Sequence, residues 1–311
     1  MNKITKRCRD APSSYKDISM FRQSEVYEHI GVDPITPVIG AEVSRVNLAQ
    51  IPLPDVLEEI HLALMRHQVL FFHNQDITPA EFSTWAGQFG RLRKARRAAF
   101  ELLEEAPEVA VIVNDKDRPP NVNHFHSDGI FRKQPEFASM LHCKEVPEYG
   151  GDTVFVSMTA AYEALSSDMK SYLAPKSATQ DFMKLHGSAT KARSWKGENA
   201  VRMKSMAKDH PPITHPIVRK HPVTDLSSLY VSESFTRCIE GVTVDESNAK
   251  LLELYRHYER PEFQCRFRWR PNSIAFWDNR ATLHYAVADY WPQKRLMHRL
   301  TIETDALGSD G

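Results

Sequence analysis

The chain has 311 residues, 41% of them apolar, with 40 Lys+Arg balanced by 40 Asp+Glu. That supports a sizeable core, excludes wholesale disorder, and argues against a dedicated nucleic-acid binder, which carries a basic excess. Four cysteines without a CxxC pair, a polar N-terminus without a signal-like apolar run, and no stretch approaching the roughly 18 apolar residues of a membrane span together predict a soluble cytoplasmic protein with reduced thiols and no membrane partner.

Residues 1–30 read as a loose tail, and 31–311 as a single domain, because no repeat period or Gly/Ser-rich linker divides them. Partial alternation over 38–48 (VIGAEVSRVNL) predicts a strand. Val56, Leu57, Ile60 and Leu64, following Pro54-Asp55, stand at helical spacing and predict an amphipathic helix over 54–66. The run VLFF at 69–72 is a short buried strand. Thr78-Pro79-Ala80-Glu81 is a capping box with Pro at the first helical position, opening a helix to about Phe89. Val109–Val113 reads as a strand, and Ser157 caps a helix through Leu165. A second box, Thr243 to Glu246, starts a helix that runs to about Glu259.

The period then changes to two: Phe263, Cys265, Phe267 and Trp269 alternate with Gln264, Arg266, Arg268 and Arg270, the signature of a half-buried strand. SIAFWD at 273–278 is the next strand. Short strands with irregular insertions and no βαβ alternation predict a mainly β protein, a sandwich or jelly roll with helices packed outside.

HFHSDGIF at 124–131 is the densest candidate for chemistry. Residues i and i+2 of an extended segment share a face, so His126 and Asp128 can aim at one ion, whereas His124 is left as a supporting or structural residue. By itself the pattern is weak: with 14 histidines, about one His-x-[Asp/Glu] match arises by chance. A second match, His257-Tyr258-Glu259, lies on a predicted helix, where i and i+2 diverge. Two histidines and a carboxylate on one side of an ion is the arrangement of non-haem Fe(II) oxygenases. The third ligand must come from a distant strand, and His284 is the best candidate. His298 competes, but Arg295 and Arg299 beside it disfavour a cation.

Taken together, HSD, GGDT (150–153) and WDNRATLHYAVADY…KRLMHR (277–299) resemble the taurine/2,4-D dioxygenase (TauD/TfdA-like) family over about residues 36–303. The resemblance implies a double-stranded β-helix (jelly roll) core, Fe(II) held by His126, Asp128 and His284, and 2-oxoglutarate held by Thr153 and Arg295. It implies O2 as oxidant, with release of succinate and CO2. Arg299 matches the arginine that holds the substrate's anionic group, so a small anionic organic substrate is implied. Phe235 in SESF is kept, His186 replaces a phenylalanine, and Ala95, Ala98 and Val122 replace polar contacts. The pocket is therefore expected to be larger or less polar than taurine requires, suiting an aryloxyalkanoate, another sulfonate, an alkyl sulfate or an amino-acid-derived acid. A homo-oligomer, dimer or tetramer, is also expected.

Blander readings stand beside these. The basic run Arg91–Arg97 reads as a solvated loop or as a lid over an anionic substrate. His210, His215 and His221, each directly followed by Pro, read as loop and strand-edge residues. Arg266, Arg268 and Arg270 read as an exposed face, and Trp269 and Trp277 as core. The competing function is a redox-inert jelly-roll binding module or a Zn-dependent hydrolase on the same triad. A hydrolase needs a base near the metal-bound water, and the sequence offers no distinct one.

Overall fold

The computed structural model describes residues 27–95, 101–186 and 198–308. Most of the expected tail, together with Arg96, Arg97 and Ala98, lies outside them. In chain order the elements are β1 (Gly31–Pro34), β2 (Ala41–Ser44), α1 (Pro54–His67), β3 (Val69–Phe72), α2 (Pro79–Ala86), β4 (Glu101–Leu103), β5 (Ala106–Asn114), β6 (Ala138–Glu145), β7 (Thr153–Ser157), α3 (Met158–Glu163), α4 (Ser167–Leu173) and β8 (Ser177–Gln180). There follow α5 (Phe182–His186), α6 (Glu198–Asp209), β9 (Ile213–Pro216), β10 (Val218–Lys220), β11 (Ser227–Leu229), β12 (Thr236–Ile239), α7 (Val244–Tyr258), β13 (Gln264–Phe267), β14 (Ile274–Asp278), β15 (Thr282–Ala286) and β16 (Arg295–Ile302).

Eight strands form one sheet in the order β1-β2-β3-β14-β6-β16-β5-β4, with β2 and β3 parallel and the other neighbours antiparallel. Facing it is the three-stranded sheet β13-β7-β15. Rings bridge the two: Phe71 stacks on Phe267 at 4.0 Å, and Phe155 meets Trp277 at 5.5 Å. On the far face of the large sheet, Ile60, Ala63 and Leu64 of α1 and Phe82 and Trp85 of α2 pack against Leu70, Phe72, Ile274 and Phe276. β3 and β14 are thus buried on both faces, which is why VLFF is a continuous apolar run and not an alternating one.

Several predicted elements are shorter in the structure. The strand expected over 38–48 pairs only over Ala41–Ser44, because the Thr36 hydroxyl binds Ile39 at both N and O to form a turn, and Arg45 takes a left-handed φ of 64°. α2 stops at Ala86, where Gln88 and Phe89 donate to carbonyls three residues back and tighten the end. α3 ends at Glu163, and α7 runs to Tyr258. The box at Thr243 is half formed: its hydroxyl accepts from Glu246 N at 3.2 Å, while the Glu246 carboxylate accepts the Tyr172 hydroxyl at 2.8 Å. Phe263, Cys265, Phe267 and Trp269 are all buried, although regular pairing covers only Gln264–Phe267. Among the described residues no helix is long and apolar enough to cross a membrane.

Candidate active site

His126 and His284 are brought together by backbone pairing. They exchange N–H···O bonds of 3.0 and 2.8 Å in an isolated antiparallel bridge, and their rings lie 4.1 Å apart. The loop carrying His126 is tied down by the hydroxyls of Ser232 and Ser234, which both donate to the Phe125 carbonyl. The segment is extended at His126 but turns at Asp128, with Arg132 N bonding back to Gly129 O. His126 Nε2 lies 3.9 Å from Asp128 Oδ1, and His284 Nε2 lies 4.0 Å from Asp128 Oδ2. One ligating atom from each of the three residues lies within 4.8 Å of the others, and this is the one such group found among the described residues.

The electrostatics prepare this donor set. His126 Nδ1 is 2.9 Å from the His124 carbonyl, so that nitrogen carries the proton and Nε2 keeps its lone pair for an ion. Burial pushes both imidazoles below their ordinary range, His284 further because His126 adjoins it. Burial pushes the Asp128 carboxyl up, but Arg299, His284 and His126 outweigh it and hold it well below the usual range. Neutral imidazoles with an ionised carboxylate are the forms that bind a divalent first-row metal. Asp128 Oδ2 also accepts from Ser139 Oγ at 2.8 Å and from Arg299 Nη2 at 2.8 Å.

A cavity of about 480 Å³ opens beside the three, lined among others by Leu141, Thr153, Arg295, Arg299 and Val122. Strand register explains the lining: β7 pairs with β15 so that Phe155 faces His284 and Thr153 faces Ala286. Glycines 150 and 151, at φ 80° and 73°, make the turn that delivers Thr153. Arg295 is 5% exposed, yet its Nε and Nη2 have no partner among the described residues. A buried guanidinium with two idle donors is costly without an anion, so the cavity suits a carboxylate at that end. Thr153 Oγ1 accepts the Trp269 indole N–H at 3.0 Å, a contact that the core reading of Trp269 missed.

The remaining predicted residues are distributed as follows. Phe235 is buried with its ring 6.5 Å from His126. Val122 lies at the cavity's edge and is 40% exposed. His186 ends α5, and its side chain is outside the described residues. His298 pairs with Val111, one residue out of phase with Arg295 and Arg299, and its ring neighbours His142 on the side of α2. Of the basic run, Arg91 and Arg93 pair with Glu303, and Arg93 also pairs with Glu136. His215 bonds the Arg132 carbonyl and His221 the Asp278 carboxylate, both buried. Arg266, expected to be exposed, is so, and it pairs with Asp152. Two residues the sequence reading missed are Ser139 and Asn279. Trp277 Nε1 donates to Asn279 Oδ1, Asn279 Nδ2 donates to Ser139 Oγ, and Ser139 donates to Asp128. Asn279 sits inside the WDNR motif, which was the available signal, but Ser139 had none.

The chain belongs to the family described as taurine catabolism dioxygenase TauD, TfdA family, whose profile matches residues 31–301. This is the family that the three motifs resembled. Among curated relatives, the alpha-ketoglutarate-dependent sulfate ester dioxygenase of Pseudomonas putida is 30% identical over 91% of this chain and 92% of its own. The alpha-ketoglutarate-dependent 2,4-dichlorophenoxyacetate dioxygenase of Cupriavidus pinatubonensis is 28% identical over 88% and 98%. The crystal structure of a taurine dioxygenase from Burkholderia xenovorans superposes with a TM-score of 0.76 at 33% identity, covering 91% of this chain and 93% of that one.

Proposed function

We propose that this protein is an Fe(II)- and 2-oxoglutarate-dependent dioxygenase that oxidises a small anionic organic substrate. The observation that carries the proposal is the convergence of His126, Asp128 and His284 on one point, beside a buried Arg295 with unpartnered donors. In this reading the two facing sheets are the double-stranded β-helix of the family, and the three side chains hold Fe(II). The C5 carboxylate of 2-oxoglutarate meets Arg295 and Thr153, whose planar fork and hydroxyl match a carboxylate. Bound iron supplies the site for O2, and the overall reaction converts 2-oxoglutarate, O2 and a substrate C–H to succinate, CO2 and a hydroxylated substrate. Where that carbon bears sulfur or oxygen, the product collapses with C–S or C–O cleavage.

Arg299 is assigned to the substrate's anionic group. Its Nη2 compensates Asp128, and its Nε has no acceptor among the described residues, which leaves a donor for an incoming anion. Phe235, whose ring lies 6.5 Å from His126, and Val122 at the cavity's edge are assigned as further substrate contacts, and His186 keeps that assignment from the sequence resemblance alone. Sulfate esters, sulfonates, aryloxyalkanoates and amino-acid-derived acids all satisfy this pairing of charge and apolar body, and the relatives named for sulfate esters and 2,4-dichlorophenoxyacetate support it. The binding-module and zinc-hydrolase alternatives leave Thr153 and Arg295 without a task.

Anaerobic addition of Fe(II) and 2-oxoglutarate is expected to give a weak visible charge-transfer band, which His284→Ala abolishes. Under air, succinate release that depends on a member of a panel of sulfonates, sulfate esters, phenoxyacids and amino-acid derivatives then identifies the substrate. Full 2-oxoglutarate turnover in His284→Ala would remove the third ligand and the proposal with it.

A further inference from the structure

Trp269 is packed as core, but its N–H has a specific task. Both Trp269 and Thr153 are 3% exposed, and the indole Nε1 lies 3.0 Å from Thr153 Oγ1. An indole N–H can only donate, so the hydroxyl oxygen must accept and its single proton must point elsewhere. Among the described residues that proton has no acceptor, and Thr153 lines the cavity. Register makes the contact possible: Phe267 pairs directly with Thr153, and Trp269, two residues on, falls on the same inner face. The indole ring also flanks Arg295, whose guanidinium carbon lies 5.9 Å from its centroid.

We infer that Trp269 is a positioning residue for the co-substrate: its N–H anchors the Thr153 hydroxyl so that the hydroxyl donates to the carboxylate bound at Arg295. The inference rests on the reading of Thr153 and Arg295 as 2-oxoglutarate contacts. Without the indole N–H, the hydroxyl is free to rotate and to donate to solvent, and the site loses preorganisation and not charge.

The test is an anaerobic titration of the Fe(II)-loaded protein with 2-oxoglutarate, read by calorimetry and by the charge-transfer band. Trp269→Phe is expected to raise the dissociation constant roughly three- to tenfold, the size of one ordinary hydrogen bond, with Fe(II) affinity unchanged. Thr153→Val gives a similar rise, and adding Trp269→Phe to Thr153→Val gives none. If phenylalanine leaves the core too loose to fold, β-(3-benzothienyl)alanine at position 269 keeps the bicycle and removes only the N–H. Equal weakening by Trp269→Phe in both backgrounds would assign its effect to packing and overturn the inference, as would no weakening at all. Thr153→Val without effect beside a weakened Arg295→Lys also overturns it while sparing the site. If neither Thr153→Val nor Arg295→Lys changes 2-oxoglutarate affinity, the underlying reading of the site fails instead.

Discussion

Gly129 follows Asp128 directly and sits at φ 66°, with the buried Glu136 carboxylate against its Cα. A Cβ built there would lie 1.3 Å from Glu136 Oε2. Glu136 has little room to withdraw, because Arg93 and Arg132 both hold its other oxygen. Gly129→Ala therefore meets an unfavourable backbone and a steric overlap at once. It is expected to cost about 1–3 kcal/mol of stability and, because Asp128 is the adjacent residue, to weaken metal binding as well. Thermal unfolding and an Fe(II) or Mn(II) titration check the two parts. An unchanged melting temperature with unchanged metal affinity would show that Glu136 gives way freely.

The orientation of Asp128 is set between elements. Ser139 on β6 and Asn279 in the turn between β14 and β15 pass a hydrogen-bond chain from Trp277 to the carboxylate, and Ser127 Oγ donates to the Asn279 carbonyl to lock the same turn to the metal loop. Groups that orient a ligand typically influence metal affinity by about ten- to a hundredfold. Ser139→Ala is expected at the lower end, near tenfold, because Arg299 still holds the same oxygen; a metal titration that gives the parent's affinity would exclude the chain from this role. Such contacts mark the limit of what sequence makes legible. The alternation at 263–269 predicts the inner face correctly because one side of that strand meets the core, and a period of two is the direct imprint of that burial. His126 and Asp128 can be paired from local spacing, and His284 from its place after a predicted strand. Ser139 lies in the β6 run ASMLHCKE, where all but the last two residues are buried and no alternation separates the site-facing side from the other. Its role depends on the β14-β6 register, which no local pattern encodes. The early end of α2 and the shortened β2 likewise arise from local side-chain and turn bonds that hydrophobic periodicity does not register.

At the scale of the whole molecule, a buried ion cluster joins parts of the chain that are distant in sequence. His61 of α1 bonds Asp305 near the C-terminus at 2.9 Å, Arg280 bridges Asp305 and Asp278 at 2.9 and 2.7 Å, and His221 bonds Asp278 at 2.9 Å. Burial pushes the Asp278 carboxyl up, but Arg280 and His221 pull it well below its ordinary range, and Asp305 is held low in the same manner by His61 and Arg280. A carboxylate with a depressed folded pKa stabilises fully above its unfolded value, near about 4, and that stability is lost as pH falls toward the folded value. Buried histidines act earlier in the same direction, His67 and His142 among them. Burial pushes His67 down to about 4 and His142 down to about 3. The unfolded chain takes up protons on these residues from about pH 6.5 while the folded chain does not, so their contribution declines as pH falls from there. The denaturation midpoint is therefore expected to decline in two stages, from about 6.5 to 4 through the histidines and below about 4 through the carboxylates. His142→Phe should make the first stage shallower without abolishing it, because His67 still contributes, and leave the second. Arg280→Met leaves Asp278 and Asp305 with only His221 and His61 as partners and should cost about 3–5 kcal/mol near neutrality, while making the carboxylate stage shallower, because the folded pKa values of those acids then lie nearer their unfolded ones. Urea midpoints between about pH 2 and 8 separate the cases: a parent profile flat down to about pH 4 would exclude the histidine stage, and an Arg280→Met protein as stable as the parent would exclude the cluster as the tie between α1, β14 and the C-terminal segment.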